Sequence, residues 1–393
     1  MLSHVWQALR RRVDPGLHLT NIHLGRRTGR RFARAGNYFT RNRVAGYIGW
    51  VGNGNIGDEA IFAVFRRLFP RHQALLFDRE PIEISLHRRF VSGEPFHDFV
   101  TVGGGTLFSF RCYYYQLDAA MRSGAPVWTF GTGLDDPELM KSNGGEPCAP
   151  KQREHMALLR DFVGLLKDVP LVTVRGPRTA RVLQGLGLWG AQVIGDPALS
   201  ACEPGDLPGR RRAAINLAMV KDRAHPEMMR VISAFRGAVS YLLDKGWHVD
   251  FVPTARGDRY MGKKLVRQFF SDRVQVLPEL ASPRRFIDRM ATYDLVIGER
   301  LHSLVLSAGS GVPCIGLEYS PKCRDFMESI GMERFCLDSD ELTAHTLIAA
   351  IDEADDTSAE LNRTLNERCS AYRRMQRDAA AQVAKLVSPV AIG

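Results

Sequence analysis

The residues best suited to chemistry lie in the segment Asp294-Leu-Val-Ile-Gly-Glu-Arg-Leu-His-Ser303. Arg300 and His302 directly follow a predicted strand and begin a predicted helix, whose dipole favours anions. Gly298 supplies the turn, and Lys322 follows the next predicted strand. Because the carboxyl ends of parallel strands meet at one edge of a sheet, these cationic or titratable groups should converge. The segment therefore predicts an anion-binding site containing a group that titrates near neutral pH.

A glycine-rich turn, Gly46-Tyr-Ile-Gly-Trp-Val-Gly-Asn-Gly-Asn-Ile-Gly-Asp-Glu-Ala60, forms a second candidate site. A strand leads into the turn and a helix leaves it near Asp58, so Asn55 and Gly57 belong to a predicted substrate-binding loop. Asp58 has two interpretations: a favourable acid in the first turn of a helix, or a base for a hydroxyl group of a ligand. The glycine spacing is not that of a dinucleotide fingerprint.

Further candidates follow other predicted strands. Gly103, Gly104 and Gly105 end the strand Phe99–Val102, and three consecutive glycines predict close approach of the backbone to a ligand. Arg175 ends the strand Leu171–Val174, which directs its guanidinium into a predicted cleft. Asp196-Pro197 marks another strand end and is expected to shape the floor of that cleft.

Short apolar runs alternate with amphipathic stretches from residue 45 onward, a pattern typical of βαβ units and parallel sheets. The pattern is interrupted at Glu203-Pro-Gly-Asp-Leu-Pro-Gly-Arg210, whose two prolines and two glycines predict a linker. We therefore expect an α/β protein with two Rossmann-like, doubly wound domains and an active site in the cleft between them. The predicted divisions are a basic arm (1–43), a first domain (44–203), a linker (204–210), a second domain (211–340) and a helical segment (341–393).

The charge is concentrated at the N-terminus. Residues 1–43 contain ten arginines and one acid, Asp14, and so carry +9 of the net charge of +10. Such an arm suits an anionic bilayer surface, or a solvated helix that clasps the domain, and the sequence does not decide between them. Nucleic acid is not expected as a partner, because no nucleic-acid-binding module follows the arm.

Other features concern the cellular setting. The seven cysteines are scattered and contain no CxxC pair, which predicts free thiols rather than a disulfide framework or a zinc site. Without an apolar run long enough to span a bilayer or a signal-peptide pattern, a cytoplasmic protein is expected, with peripheral contact at the inner face of the membrane through the arm.

At these motifs the chain resembles the polysaccharide pyruvyltransferase family. The resemblance covers roughly residues 45–335, and its most specific part is the pair Arg300 and His302 followed by Lys322. It implies a fold of glycosyltransferase-B type, phosphoenolpyruvate as the donor and a glycan or lipid-linked oligosaccharide as the acceptor. The first domain is then expected on the acceptor side and the second on the donor side. The implied product is a pyruvate ketal bridging two hydroxyls of a sugar in a surface polysaccharide or exopolysaccharide, with release of phosphate. The resemblance implies no metal or other cofactor.

The resemblance also suggests roles for individual residues. Arg300 and Lys322 are expected to bind the donor anions, with Arg175 as a third ligand. His302 is expected to act as the general acid. Asp58 or Glu299 would remove the hydroxyl proton, and the sequence does not choose between these two carboxylates.

Two other functions compete with this interpretation. A nucleotide-sugar-dependent glycosyltransferase would share the fold and the cationic site, and Glu318 is the candidate for its ribose-binding acid. A non-catalytic glycan- or lipid-binding module would tolerate substitution of Arg300 and His302. The identity of the donor distinguishes the glycosyltransferase from a pyruvyltransferase. The effect of substituting Arg300 and His302 distinguishes the binding module from an enzyme.

Overall fold

The computed structural model describes residues 43–77, 97–135, 150–218, 225–254, 257–279 and 282–387. The first domain is built on a parallel sheet with the order β2-β1-β3-β4. Two short paired strands, β5 and β6, extend it, because single bridges join Trp128 to Leu171 and Thr132 to Val174. The strands are β1 (Arg43–Ile48), β2 (His72–Leu76), β3 (Phe99–Val102), β4 (Val127–Thr129), β5 (Thr173–Val174) and β6 (Gln192–Val193). The helices of this domain are α1 (Ile56–Leu68), α2 (Arg111–Arg122), α3 (Pro150–Leu166) and α4 (Pro177–Gly185).

The second domain contains a parallel sheet with the order β12-β11-β10-β7-β8-β9. Its strands are β7 (Arg212–Asn216), β8 (His248–Phe251), β9 (Val274–Val276), β10 (Leu295–Gly298), β11 (Cys314–Glu318) and β12 (Cys336–Asp338). Its helices are α5 (His225–Asp244), α6 (Asp258–Val266), α7 (Pro283–Met290), α8 (Leu301–Gly309) and α9 (Pro321–Ser329). Strands such as β3 and β10 are buried along their whole length, as expected where helices cover both faces of a parallel sheet.

The strand order of each sheet creates a crevice where the winding reverses. In the first sheet the reversal lies between β1 and β3, and in the second it lies between β7 and β10. Ligands of open α/β sheets bind outside the carboxyl ends of the strands at such points. The glycine-rich turn follows β1, and the segment with Arg300 and His302 follows β10. The topology therefore brings the two most prominent sequence motifs to the two switch points.

Local sequence explains where the site-bearing helices begin. Asn55 caps α1, its Oδ1 atom accepting a hydrogen bond from Gly57 N at 3.1 Å. Asp58 and Glu59 occupy the first turn of α1, where acidic side chains favour the positive end of the helix dipole. Pro177 and Pro321 stand in the first turns of α4 and α9, where a missing backbone N–H has no cost.

The C-terminal part of the chain returns to the first domain. After α10 (Ala344–Asp356), the 29-residue helix α11 (Ser358–Leu386) packs on the turn Pro197–Ala201 and on α8. On α11, Gln376 Nε2 donates to the carbonyl oxygens of Ile194 and Asp196 at 2.9 and 3.0 Å. The long helix thereby fixes the loop that carries Asp196.

Most predicted elements agree with the structure to within a few residues. The predicted strand Phe99–Val102 coincides with β3, and residues 203–210, predicted as part of a linker, form neither helix nor strand. β1 begins at Arg43, one residue inside the predicted arm, while residues 1–42 lie outside the described part of the chain. The sequence analysis did not anticipate α9 or β12. No helix in the described ranges is long and apolar enough to cross a membrane.

Candidate active site

A cavity of about 370 Å³ lies between the two domains, at the carboxyl ends of both sheets. The first domain contributes the turn after β1, the segment after β3 and the end of β5, and the second contributes the segments after β8, β10 and β11. Its lining residues are Trp50, Asn55, Asp58, Gly105, Thr106, Leu107, Phe110, Cys112, Tyr113, Arg175, Thr254, Arg300, Leu301, His302, Tyr319 and Lys322.

Arg175 places a buried positive charge at this cavity. Its side chain is fully buried, and its three guanidinium nitrogens have no hydrogen-bond partner among the described residues. The nearest counter-charge is Asp196 Oδ2, 3.9 Å from Nη1. Gly133 leaves the guanidinium room, since a Cβ there would lie 2.6 Å from Nη2. Buried polar groups are normally satisfied, so these N–H groups are available to a bound anion.

His302 lies at the start of α8 and faces the first domain. Its Nε2 atom is 3.8 Å from Asp196 Oδ2, and its side chain is only 11% exposed. The ring packs directly on Gly57, where a Cβ atom would lie 1.8 Å from the imidazole Cγ. Burial lowers the pKa of His302, Asp196 opposes that shift, and the charge of Arg175 adds to it. His302 is therefore neutral at neutral pH.

Asp58 is the carboxylate that faces the cavity from α1. Burial, with repulsion from Asp196 and Glu59, raises the pKa of Asp58 to about 7. Lys322 and Arg175 oppose this shift without cancelling it. Asp58 thus carries a proton that it exchanges near neutral pH, where a general acid or base is most effective.

Arg300 and Lys322 both line the cavity, and each is paired with a carboxylate. The partner of Arg300 belongs to the second domain, and the partner of Lys322 belongs to the first. Arg300 Nη2 lies 2.9 Å from Asp258 Oδ1. Lys322 Nζ donates to Asp135 Oδ2 at 2.8 Å and lies 5.1 Å from the Tyr319 ring centroid. Burial alone would lower the pKa of Lys322, but Tyr319 and Asp135 outweigh it and the pKa is raised. Both side chains keep their positive charge at the wall of the cavity.

For three of the predicted site residues, contacts within the protein account for the residue type, and no ligand is needed. Glu299 does not line the cavity: it is buried, and its Oε2 atom accepts from Ala218 N at 2.8 Å. A Cβ on Gly103 would lie 2.1 Å from the Tyr47 hydroxyl, and one on Gly104 would lie 2.8 Å from Ile61 Cδ1. Protein side chains therefore occupy the space above these two glycines.

Gly105 differs from its two neighbours. It lines the cavity with a φ of +99°, and a Cβ at this position would lie 3.3 Å from Asp58 Oδ1. Asn55 lines the cavity as well, next to Asp58. The structure thus brings together Asn55, Asp58, Gly105 and the four predicted groups of positive or titratable character, which are Arg175, Arg300, His302 and Lys322.

The sequence pattern described as Polysaccharide pyruvyl transferase matches residues 55–321, more than half of the chain. The protein belongs to the polysaccharide pyruvyl transferase family. The match includes the start of α1, Arg175 and the Arg300-Leu-His302 segment, and it ends one residue before Lys322.

Solved structures agree on the architecture. The glycotransferase of kitacinnamycin is 14% identical, with 89% of this chain and all of that chain covered at a TM-score of 0.50. Os79 from O. sativa in complex with UDP is 12% identical over 86% of this chain and all of that chain, with a TM-score of 0.53. Anabaena Alr3699/HepE in complex with UDP is 12% identical over 88% of this chain and all of that chain, with a TM-score of 0.52. At such identities the likeness shows the fold alone, which is of glycosyltransferase-B type.

Several residues in or beside this family member's cavity have contacts that were not predicted from the sequence. Asp196 was expected only to shape the floor, yet its fully buried carboxylate lies between Arg175 and His302. Asp135 and Asp258 form ion pairs with Lys322 and Arg300, but neither aspartate belongs to a sequence motif that would have identified it. Trp50 stands inside the glycine-rich turn, and an aromatic residue beside three glycines at a strand end was the available clue.

Proposed function

We propose that this family member transfers pyruvate from phosphoenolpyruvate to two hydroxyls of one sugar, forming a ketal and releasing phosphate. The observation that carries the proposal is Arg175, a fully buried guanidinium at the cavity without a hydrogen-bond partner in the described ranges. Arg300 and Lys322 add two further cations to the same cavity. Phosphoenolpyruvate offers a carboxylate and a phosphate, both suited to bidentate or charge-assisted hydrogen bonds from such groups.

The proton balance of the reaction calls for two titratable groups. Two sugar hydroxyls lose protons; one proton reaches the methylene carbon of the donor, which becomes a methyl group, and the other leaves with phosphate. The bond between the central carbon of the donor and its phosphate oxygen breaks, and its electron pair leaves with the phosphate. Two new bonds from sugar oxygens to the same carbon complete the ketal. A cavity that performs this sequence needs one group to deliver a proton and one to accept it.

His302 and Asp58 fit these two roles in our proposal. The donor anions would offset the charges of Arg175 and Lys322, which lower the pKa of His302, so that the imidazole gains a proton when the donor binds. Asp58, with its pKa near 7, accepts the hydroxyl proton once ionised. We assign the base to Asp58 rather than Glu299, whose carboxylate is engaged with Ala218 N outside the cavity.

A nucleotide-sugar donor receives less support. Glu318, the candidate ribose-binding acid, pairs with Arg324 and does not line the cavity. The UDP complexes among the structural neighbours concern those proteins, and their low identity carries no donor assignment.

A donor screen tests the proposal. The protein is incubated with methyl glycosides of glucose, galactose, mannose and N-acetylglucosamine, and with either phosphoenolpyruvate or UDP- and GDP-sugars. We expect sugar-dependent release of phosphate from phosphoenolpyruvate and no release of nucleotide. Nucleotide release without phosphate release would contradict the proposal. Arg175→Ala should lose the phosphate release, and Trp189→Ala, the control, should retain it.

We further propose that the basic arm, residues 1–43, attaches the protein to an anionic membrane surface, where a lipid-linked acceptor would be found. Its basis is the charge of +9 in residues 1–43. A protein beginning at Asn42 should keep its activity on a soluble sugar but lose salt-sensitive binding to vesicles containing phosphatidylglycerol. An inactive or insoluble truncated protein would instead indicate a structural role for the segment.

A further inference from the structure

Two large aromatic side chains stand unusually exposed at the mouth of the cavity. Trp50 is 54% exposed and Phe110 is 51% exposed, and both line the cavity. Trp50 follows β1 and Phe110 follows β3, two neighbouring strands of the first sheet. The switch point of the first domain therefore places both aromatic residues at the cavity, beyond the carboxyl ends of β1 and β3.

Local contacts hold the turn that carries Trp50 and the ring of Phe110. The turn that carries Trp50 is tied to α1, because Gly52 N donates to Glu59 Oε1 at 2.6 Å. Phe110 immediately precedes α2, and its ring meets the ring of Tyr113 edge-on, with centroids 6.2 Å apart. An exposed ring that is held in place offers contact area with little further loss of conformational entropy.

The charges of the cavity and its aromatic rim occupy different places. Arg175, Arg300 and Lys322 bring positive charge to the cavity, whereas Trp50, Thr106 and Phe110 are neutral and belong to the turn after β1 and the segment after β3. Anionic ligands prefer the three cations. The neutral, aromatic rim suits an uncharged molecule that has both an apolar face and hydroxyl groups.

We propose that Trp50 and Phe110 form an acceptor subsite on which the pyranose ring of a glycan stacks. A pyranose presents a face of C–H groups to an aromatic ring, while its hydroxyls extend from its edge. From this stacked position the hydroxyls reach toward the Asn55 amide and the Asp58 carboxylate, which line the same side of the cavity. The inference rests on the proposed function, since it identifies the wall that holds the acceptor of the transfer.

Acceptor kinetics on matched variants test the subsite. Trp50→Ala and Phe110→Ala should each raise the KM for the methyl glycoside about three- to tenfold, the range of one aromatic stacking contact. Trp50→Phe should recover part of the loss. Trp189→Ala and Phe270→Ala are the controls, because these rings are 76% and fully exposed and lie outside the cavity. Equal effects at the control positions would contradict the subsite.

Binding measurements separate this inference from the proposed function. Phosphoenolpyruvate is titrated by calorimetry, and the same methyl glycosides are then titrated into the donor-saturated protein while tryptophan fluorescence is recorded. We expect donor affinity within about twofold of wild type in Trp50→Ala, and a sugar-dependent fluorescence change that Trp50→Phe abolishes.

Each outcome bears on one of the two claims. Donor binding with no sugar-dependent change, or with a change that persists in Trp50→Phe, overturns the subsite and leaves the donor assignment intact. A sugar-dependent change without any binding of phosphoenolpyruvate overturns the donor assignment and supports the subsite. A fluorescence change caused by UDP but by none of the glycosides also overturns the subsite.

Discussion

Asp58 and His302 share one cavity, yet burial moves their pKa values in opposite directions. Burial disfavours the charged form of each group, so the pKa of the carboxyl rises to about 7 and the pKa of the imidazole falls. Asp196, buried between His302 and Arg175, adds to the first shift and opposes the second. The cavity thus pairs a carboxyl that titrates near neutral pH with an imidazole that is neutral there.

The protonation of His302 should depend on the donor. At about pH 7.5, where imidazole is largely neutral, binding of phosphoenolpyruvate should be accompanied by proton uptake, since the anion offsets the nearby cations. Calorimetry in buffers of different ionisation enthalpy measures this uptake directly. His302→Gln should reduce the uptake and lower kcat by about 10²–10⁴-fold, the usual contribution of a general acid. Unchanged uptake with unchanged kcat would show that His302 does not carry the proton.

Asp58 should make the stability of the protein depend on pH. Because its folded pKa lies above the unfolded value, the stabilisation from the bound proton is complete below the unfolded pKa and is lost as the pH rises through about 7. Asp58→Asn should therefore leave stability near pH 4 almost unchanged and raise the free energy of unfolding near pH 8 by about 2–4 kcal/mol. Urea unfolding of both proteins across this range measures the difference. A difference that stays constant with pH would contradict the raised pKa.

At the scale of elements, the contact between α1 and α8 sets the position of the imidazole. Gly57 stands in the first turn of α1, and the His302 ring occupies the space where a side chain would begin. The reason for this glycine is thus the close approach of the second domain. Its φ does not lie in the left-handed region.

Gly57→Ala should displace His302 with little change in the helix itself. We expect kcat to fall by about 10²-fold, as for a misplaced catalytic group. The matched control is Gly164→Ala in α3, where the added methyl group meets no atom within 4 Å and should raise stability by about 0.5–1 kcal/mol. Comparable activity of the two variants would mean that His302 tolerates the shift or has no catalytic role.

The sequence predicts the strands and helices better than it predicts which glycines meet a ligand. The alternation of apolar runs gives β3 its observed limits, because such runs reflect burial directly. Gly103 and Gly104 look the same as Gly105 in the sequence, but Tyr47 and Ile61 cover the first two. What packs over a residue depends on distant segments, and for the same reason Glu299 could not be separated from Asp58 in advance.

At the scale of the whole molecule, polar contacts hold the two domains around the cavity. Asp325 of α9 accepts hydrogen bonds from Arg178 N at 2.7 Å and Thr179 Oγ1 at 2.8 Å, at the beginning of α4. Glu328 pairs with Arg178 and Arg181 across the same interface. Lys322 bound to Asp135 makes a further link at the cavity itself.

The buried and exposed contacts of this interface should differ in strength. Asp325→Ala leaves the first turn of α4 without its acceptor in a buried position and should lower the free energy of unfolding by about 2–4 kcal/mol. Arg181→Ala removes only a partly exposed ion pair and should cost less than about 1 kcal/mol. Urea unfolding compares them, and equal costs would show that the buried carboxylate does not hold the domains together.

The most direct test of the central claim is the mass of the sugar product. A methyl glycoside incubated with the protein and phosphoenolpyruvate, then analysed by mass spectrometry, should gain one pyruvate joined through two oxygens. This gain should be absent from reactions with Arg175→Ala. A sugar that remains unmodified with phosphoenolpyruvate but gains a hexose from a sugar nucleotide would contradict the claim.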